Sequence, residues 1–262
     1  MHLAFFGTGT SHGIPVIGCR CAVCRSDDPR DTRNRTGVWL RDDRHSVVID
    51  VSGDFRQGAL RHGLDRLDAV LLTHAHSDHT AGLDDLRIFS QMTGRPTVLY
   101  AAEDTYADLR KRFAYAFAPP KSYGGGAPQY NVRIVDPAAG PFMLSDWAVT
   151  PLPVFHGPEP ILGYRINDFA FITDVTVIPD ETIALMRGLK VLALDCLRDK
   201  PHSTHLHFDK AVEYAQRIGA ETTYFVHMSH DLGHAATEAR LPSTPPASPL
   251  IRLAYDGLEL AI

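Results

Sequence analysis

The sequence predicts a layered α/β protein with a pair of packed β-sheets at its centre, folded as a single domain over residues 1–262. Three observations carry this. Short apolar runs rich in β-branched and aromatic residues recur roughly ten times, helical patterns are interleaved among them, and no shift in composition divides the chain. With 262 residues, 44% of them hydrophobic and 22% charged, the chain can bury a sizeable core and fits no disordered or repeat class.

Strands are expected at 3–7 (LAFFG), 45–51 (HSVVIDV), 68–73 (DAVLLT), 96–101 (PTVLYA) and 147–154 (WAVTPLPV), then at 162–166, 169–173, 190–195, 222–227 and 250–257. Their runs are near-continuous or alternate with period two, as in sheets buried on both faces. Helical patterns fall at 81–92, 103–117, 180–189 and 208–219. Two segments rich in Pro read as surface. APPKSYGGGAPQ (118–129) follows Phe113, Tyr115 and Phe117 and resembles a lid or substrate wall, although core packing explains the three aromatics equally well. LPSTPPASP (241–249) reads as an exposed connection to the last strand.

The opening MHLAFFGTGTSHG has no basic segment before its apolar run and no small-residue cleavage site after it. No apolar run reaches about 18 residues, so a cytoplasmic protein without a membrane segment is expected. The net charge of −5 argues against an extended nucleic-acid footprint. Three of the four cysteines, Cys19, Cys21 and Cys24, crowd into GCRCAVC, which favours metal binding over disulfides.

Fourteen histidines is the odd number in the composition. In LLTHAHSDHTAGL, His74, His76, Asp78 and His79 form an HxHxDH pattern that the chain's own His and Asp frequencies would produce about 0.004 times by chance. His74 and His76 on an extended segment point the same way. The turn that follows lets Asp78 and His79 diverge toward a second ion about 3.5–4 Å from the first, the spacing of two-metal hydrolases. The remaining ligands are then expected at later strand ends: His156 closes TPLPVFH, Asp174 closes FAFITD and His227 closes TTYFVH.

HxHxDH followed by separate His, Asp and His at strand ends resembles the metallo-β-lactamase superfamily. GTGTSHGIPVIGCRCAVC, LLTHAHSDHTAGL, ITD, LDC and VHMSHD together resemble, nearly end to end, the phosphoribosyl 1,2-cyclic phosphate phosphodiesterases of the carbon–phosphorus lyase pathway. The resemblance implies an αββα sandwich with its metals in a cleft at the edge of the two sheets. By motif position it implies that His74, His76 and His156 hold one ion, that Asp78, His79 and His227 hold the other, and that Asp174 bridges them. Asp78 counts among the catalytic groups as well as the ligands. Imidazole and carboxylate suit Zn²⁺ or Mn²⁺ without choosing between them. Asp50, ending HSVVID, reads either as a carboxylate orienting a ligand histidine or as a turn residue.

The implied activity is hydrolysis of a small, cyclic sugar-phosphate or nucleotide phosphodiester by a hydroxide bridging the two ions. The leaving oxygen needs a proton, and DCLRDKPHSTHLHFDKA offers His202, His205 and His207. Family spacing points to His205, with His207 its rival. His12, in a Gly-punctuated loop, could lie near the substrate or simply on the surface. Cys19, Cys21 and Cys24 with His230 are assigned to a closed structural Zn²⁺ site, with His234 a competing fourth ligand and Cys196 a less favoured one, since a lone cysteine in VLALDCL usually reads as a buried free thiol. The family also implies a homodimer. Two competing readings are a tRNA 3′-processing endoribonuclease, for which no long basic insertion is visible, and a non-hydrolytic accessory protein like the pyrroloquinoline quinone biosynthesis relative.

Overall fold

The computed structural model describes residues 1–118, 126–242 and 249–262. Most of the 118–129 segment expected as a lid, and most of the 241–249 connection, fall outside the described residues.

Two seven-stranded sheets stand face to face. The first is built from β1 (His2–Gly7), β2 (Gly37–Arg41), β3 (Ser46–Ile49), β4 (Ala69–Leu71), β5 (Thr97–Ala101), β6 (Tyr130–Ile134) and β14 (Glu259–Ala261), in the order β14-β1-β2-β3-β4-β5-β6. The second contains β7 (Phe142–Leu144), β8 (Trp147–His156), β9 (Glu159–Ile166), β10 (Phe169–Ile172), β11 (Val191–Asp195), β12 (Thr222–Val226) and β13 (Leu250–Leu253), in the order β13-β12-β11-β10-β9-β8-β7.

The alternation of side chains along a strand sorts the core into three layers. Leu3 and Phe5 of β1, with Leu40, Ile49 and Leu71, meet Val149, Tyr164, Phe169 and Phe171 between the sheets. Ala4 and Phe6, with Trp39, Val48 and Val70, point the other way, against Phe55 of α1 (Phe55–His62), Phe89 of α3 (Arg87–Thr93) and Leu109 of α4 (Glu103–Arg112). On the far side Ile172, Leu192, Leu194 and Phe225 pack on Ile183 of α5 (Asp180–Leu185) and on Ala211, Ala215 and Ile218 of α6 (Phe208–Ile218). This is the αββα sandwich. Among the described residues no helix is long and apolar enough to cross a membrane.

The expected elements differ from the observed ones in places. Fourteen strands are present among the described residues, not about ten. The expected helix at 81–92 splits into a 3₁₀ turn over Ala81–Leu86 and then α3. Gly82 is pressed so close to the backbone that a Cβ there would lie 2.2 Å from the Ser52 carbonyl oxygen, and its N–H donates to Val51 O at 2.9 Å. The helix expected over 103–117 leaves helical geometry at Phe113 (φ −113°, ψ 39°), which turns toward the outer core with Phe117, while Tyr115 stays exposed and donates to Asp84. The strand expected over 250–257 ends at Leu253, because Asp256 turns inward to accept from Thr8 Oγ1 and Asn34 N.

What matters for function is the direction of the strands. β3 runs parallel to β4, and β10, β11 and β12 run parallel to one another. β8 is antiparallel to β9, which is antiparallel to β10, so β8 also points the way of β10. Their C-terminal ends share one edge of the sandwich, the usual place for a ligand crevice in an α/β fold.

Candidate metal centre

Every residue expected at this edge is carried there by a strand end or the turn beyond it. His74 lies three residues past β4, and α2 (Ser77–Thr80) turns the chain so that Asp78 and His79 follow. His156 is the last residue of β8, Asp174 stands two past β10, and His227 one past β12. Asp50, Asp174 and His227 take positive φ (62°, 56° and 60°), a conformation that non-glycine residues adopt at a cost of about 1–3 kcal/mol. That cost sits where the chain must turn its side chain back over the strand ends.

Three sets of ligand-type atoms at this edge lie within 4.8 Å of one another: His74, His76, His156 and Asp174; Asp78, His79, Asp174 and His227; and Asp174, Asp195, His205 and His227. Asp174 belongs to all three, and the first two hold the residues expected as ligands. Its Oδ2 is 3.2 Å from His79 Nε2 and 3.3 Å from His227 Nε2, while its Oδ1 lies 4.0 Å from His74 Nε2. Asp78 Oδ2 is 3.4 Å from His79 Nε2 and 3.5 Å from His227 Nε2. Ligands at about 2.1 Å in a tetrahedron are separated by about 3.4 Å, so these spacings fit a small divalent ion.

The hydrogen bonds behind the rings tell which nitrogen faces inward. Asp50 Oδ2 accepts from His79 Nδ1 at 2.7 Å and from Thr73 Oγ1 at 2.8 Å, and Oδ1 accepts from Thr73 N at 2.9 Å. With its own proton committed to Asp50, the Thr73 hydroxyl accepts from His74 Nδ1 at 3.0 Å. His156 Nδ1 donates to Thr204 O at 2.9 Å. In all three rings Nδ1 carries the proton and Nε2 presents a lone pair, the arrangement of metal-ligating imidazoles. His74 Nε2 and His79 Nε2 are buried without a hydrogen-bond partner. Lone pairs and carboxylate oxygens facing each other at 3.2–3.5 Å call for a cation between them.

The electrostatics agree. Burial pushes His74 well below the ordinary histidine range. At His79 burial also opposes charge, but Asp174 and Asp50 outweigh it and drive the ring well above its usual value. Asp174 is held well below the usual carboxylate range, burial being overcome by His227 and His79.

Of the three candidate acids, the structure brings His205 to the cluster. Its Nδ1 faces Asp195 Oδ1 at 3.4 Å and its Nε2 lies 3.9 Å from Asp174 Oδ1. Burial disfavours the charged ring, yet Asp195, and then Asp174 and Asp78, raise it above its ordinary value. His202 accepts at Nδ1 from Thr204 N (3.2 Å) one ring further out, and His207 precedes α6, its carbonyl accepting from Ala211 N. Asp195 was missed by sequence reasoning. Fully buried, it accepts from Leu206 N at 2.8 Å and stands 3.6 Å from His227 Nδ1. The strand-end rule that finds Asp174 would have found it too, since it closes VLALD.

The second cluster lies across the same face. Cys19, Cys21 and Cys24 Sγ lie 3.2, 3.6 and 3.4 Å from His230 Nδ1. For Zn–S of about 2.3 Å and Zn–N of about 2.0–2.1 Å a tetrahedral edge is about 3.5 Å, so this quartet fits a closed zinc site. Cys24 N donates to Cys21 Sγ and Val16 N to Cys24 Sγ, at 3.4 and 3.3 Å. Those donors suit thiolates. The competing fourth ligands are elsewhere: His234 accepts from Arg33 at 3.1 Å and Cys196 is fully buried as a free thiol.

The family model of the β-lactamase superfamily domain matches residues 45–228, a span that takes in every strand-end residue from Asp50 to His227. The chain belongs to the β-lactamase superfamily. Its Cys-bearing loop and His230 lie outside the matched span. A crystal structure described as a new diphosphatase from the PhnP family superposes on this member of the superfamily with a TM-score of 0.90 at 41% identity, covering 100% of this chain and 97% of that one. Zn²⁺-bound PqqB from Methylobacterium extorquens shares the fold at a TM-score of 0.76 and 19% identity, with 100% of both chains covered. An octanoyltransferase from Porphyromonas gingivalis is 40% identical over 265 residues, 100% of this chain but 52% of that protein. The chain thus spans about half the length of that relative, and 38% of a PQQ synthesis protein B from Rhodopseudomonas palustris that it matches at 32% identity over 125 residues.

Proposed function

We propose that this superfamily member hydrolyses a small phosphodiester, a cyclic sugar phosphate or a nucleotide, at a centre of two divalent ions, Zn²⁺ or Mn²⁺. The observation that carries the reading is Asp174, whose two oxygens are divided between two ligand sets of imidazole and carboxylate. Two such ions, when bound, neutralise phosphoryl oxygens and make water nucleophilic at neutral pH.

The chain's own residues do the rest. Asp50, Thr73 and Thr204 hold the ligand rings with Nε2 inward. Asp195 faces Nδ1 of His205, leaving Nε2, on the cluster side, to carry the proton that the departing oxygen needs. Asp78 ties the second ligand set to both His79 and His227. The 41% identity to a diphosphatase widens the substrate class to diphosphate diesters, in which the attacked phosphorus also lies between two bridging oxygens. Octanoyl transfer finds no support in the cluster, whose members are imidazoles and carboxylates; Cys196, beside Asp195, is sealed in the outer core.

The test is hydrolysis of bis(p-nitrophenyl) phosphate with added Mn²⁺ or Zn²⁺, followed by ribose cyclic phosphates, cyclic nucleotides, diphosphate diesters, precursor tRNA and an octanoyl thioester. Turnover of the small phosphorus esters is expected. Metal-loaded protein that cleaves none of them, or only the precursor tRNA, overturns the reading.

A further inference from the structure

Every histidine expected as a strand-end ligand, except one, has a group behind its ring. Nδ1 of His74, His79 and His156 is bonded to Thr73, Asp50 and Thr204, and Nδ1 of His227 faces Asp195 at 3.6 Å. His76 is the exception. It is the exposed member of the set, its ring lies against those of His74 and His156, and among the described residues neither of its ring nitrogens makes a hydrogen bond.

What holds His76 is its backbone. The carbonyl of Ala75 belongs to the peptide that enters His76, and the carbonyl of His76 to the peptide that leaves it. Peptides are planar, so fixing both carbonyls fixes φ and ψ of His76, −57° and 151°, and with them the direction of its side chain. Fully buried Thr80 gives its one hydroxyl proton to His76 O at 2.8 Å, the nearer of the two carbonyls it faces, and His79 N donates to the same oxygen at 3.1 Å. Arg112 completes the grip from α4. Its Nη2 donates to Ala75 O and its Nη1 to Thr80 Oγ1 at 3.5 Å, so the hydroxyl accepts from Arg112 and its proton stays on His76 O. Arg112 ends a helix whose last turn carries Arg110, Lys111 and Arg112, cations suited to a helix C-terminus. Nε pairs with Asp108 one turn back at 3.2 Å, and the planar guanidinium then aims two N–H groups at two acceptors, which the point charge of a lysine would not span.

We propose that Arg112 and Thr80 are positioning residues for His76, their grip on its two peptide groups standing in for the hydrogen bond that its ring lacks. The proposal rests on the two-ion reading, since it takes His74, His76 and His156 as ligands of one ion. Its consequence is selective. His79 is secured independently, by Asp50 at Nδ1 and by Val51 N, which donates to His79 O at 2.8 Å. Loss of the grip therefore loosens His76 and weakens the ion it helps to hold, while the ion of Asp78, His79 and His227 keeps its ligands. Groups that orient a ligand from behind typically carry about 10–100-fold in metal affinity.

The experiment is calorimetric titration with Co²⁺ of protein stripped of its strand-end ions by mild chelation, for the unaltered chain, Arg112→Met and Thr80→Val, each checked for fold by circular dichroism. In both variants one of two Co²⁺ ions is expected to bind about tenfold or more weakly and the other within about twofold of the unaltered protein, with Thr80→Ser restoring the weakened ion. In a His76→Asn background, Arg112→Met should change the remaining ion by no more than about twofold. Unchanged titrations in Arg112→Met and Thr80→Val overturn the proposal. Equal weakening of both ions, or a loss that persists without His76, also overturns it and makes Arg112 a general structural residue. Unaltered protein that takes up no Co²⁺ at the strand ends overturns the two-ion reading, and the proposal falls with it. The expected titrations in a protein that turns over no phosphorus ester break the phosphodiesterase reading alone, because binding is read without turnover.

Discussion

The two clusters of metal-type side chains on one face of this molecule are built on opposite plans. At Cys19, Cys21, Cys24 and His230 all four residues are half-buried, three come from one irregular loop, and the quartet closes on itself at 3.2–3.6 Å. At the strand ends the candidate ligands come from four separate turns, most are buried, and each ring with an identified tautomer is backed by Asp50, Thr73 or Thr204. A closed quartet would use an ion to hold the chain, whereas the strand-end residues are held in advance by the chain itself. The difference teaches that the hydrogen bonds behind the rings, and not the number of metal-type side chains, set the proposed chemical centre apart.

The largest effect should come from the residue shared by both ligand sets. Asp174→Asn is expected to lower kcat/KM for a phosphodiester by about 10³-fold or more and to reduce bound metal, read by activity and by elemental analysis. If full metal content and activity survive, the two-site picture fails. His205→Gln should cost about 10²–10⁴-fold with an alkoxide leaving group and far less with p-nitrophenolate, which departs without needing a proton. Equal losses on both substrates would make His205 a structural or binding residue.

Asp50→Asn sharpens the claim about orientation. Losing the carboxylate behind His79 should weaken metal binding or activity about 10–100-fold with the fold intact, checked by circular dichroism and metal titration. His230→Ala should behave in the contrary way: one ion of three is lost, thermal stability drops, and activity falls with the folded fraction. Retention of all three ions would mean that something other than His230 closes the loop.

The smallest effect concerns pH and lies outside both clusters. Burial, then Arg33 and Arg30, lowers His234 to about 4 in the folded protein, against about 6.5 unfolded. The unfolded chain therefore binds the proton first, and stability falls as pH drops from about 6.5 toward 4. Asp256 opposes this: burial raises it to about 6, so its contribution falls as pH rises through the window from about 4 to 6. His234→Asn should accordingly flatten the acid-side loss by about 1–3 kcal/mol in urea titrations between pH 6.5 and 4. An unchanged slope would remove His234 from the account.

Sequence patterns disclose most elements whose burial is continuous and hide those at edges, although β2, buried and interior to its sheet, was missed as well. β3, β4, β10 and β11 are buried along their length and were legible as apolar runs. β6, half-exposed and reading YNVRI, and β7 and β14, three residues each, carry too little apolar signal. α1 was hidden by Gly58, which lies mid-helix because a Cβ there would come within 2.6 Å of Phe6. At the site, His and Asp at strand ends were legible because a polar residue closing an apolar run is conspicuous. Thr73 was not, since a hydroxyl between an apolar run and a histidine looks like strand. The tautomers it and Thr204 impose depend on contacts across 23 and 48 residues of chain, which no local pattern records.

The separation between Cys19 and His230 has a consequence for biosynthesis. The two residues are 211 positions apart. At about 5–20 residues per second, the three thiols leave the ribosome roughly 10–40 s before the histidine that joins them. The same delay applies to β1, whose outer neighbour β14 is the last strand of the chain. The Cys-bearing loop and β1 are thus locked only after His230 and β14 have been made, and a nascent chain spends that interval with reactive sulfur and an open sheet edge in the keeping of whatever chaperones and reductants the cell supplies.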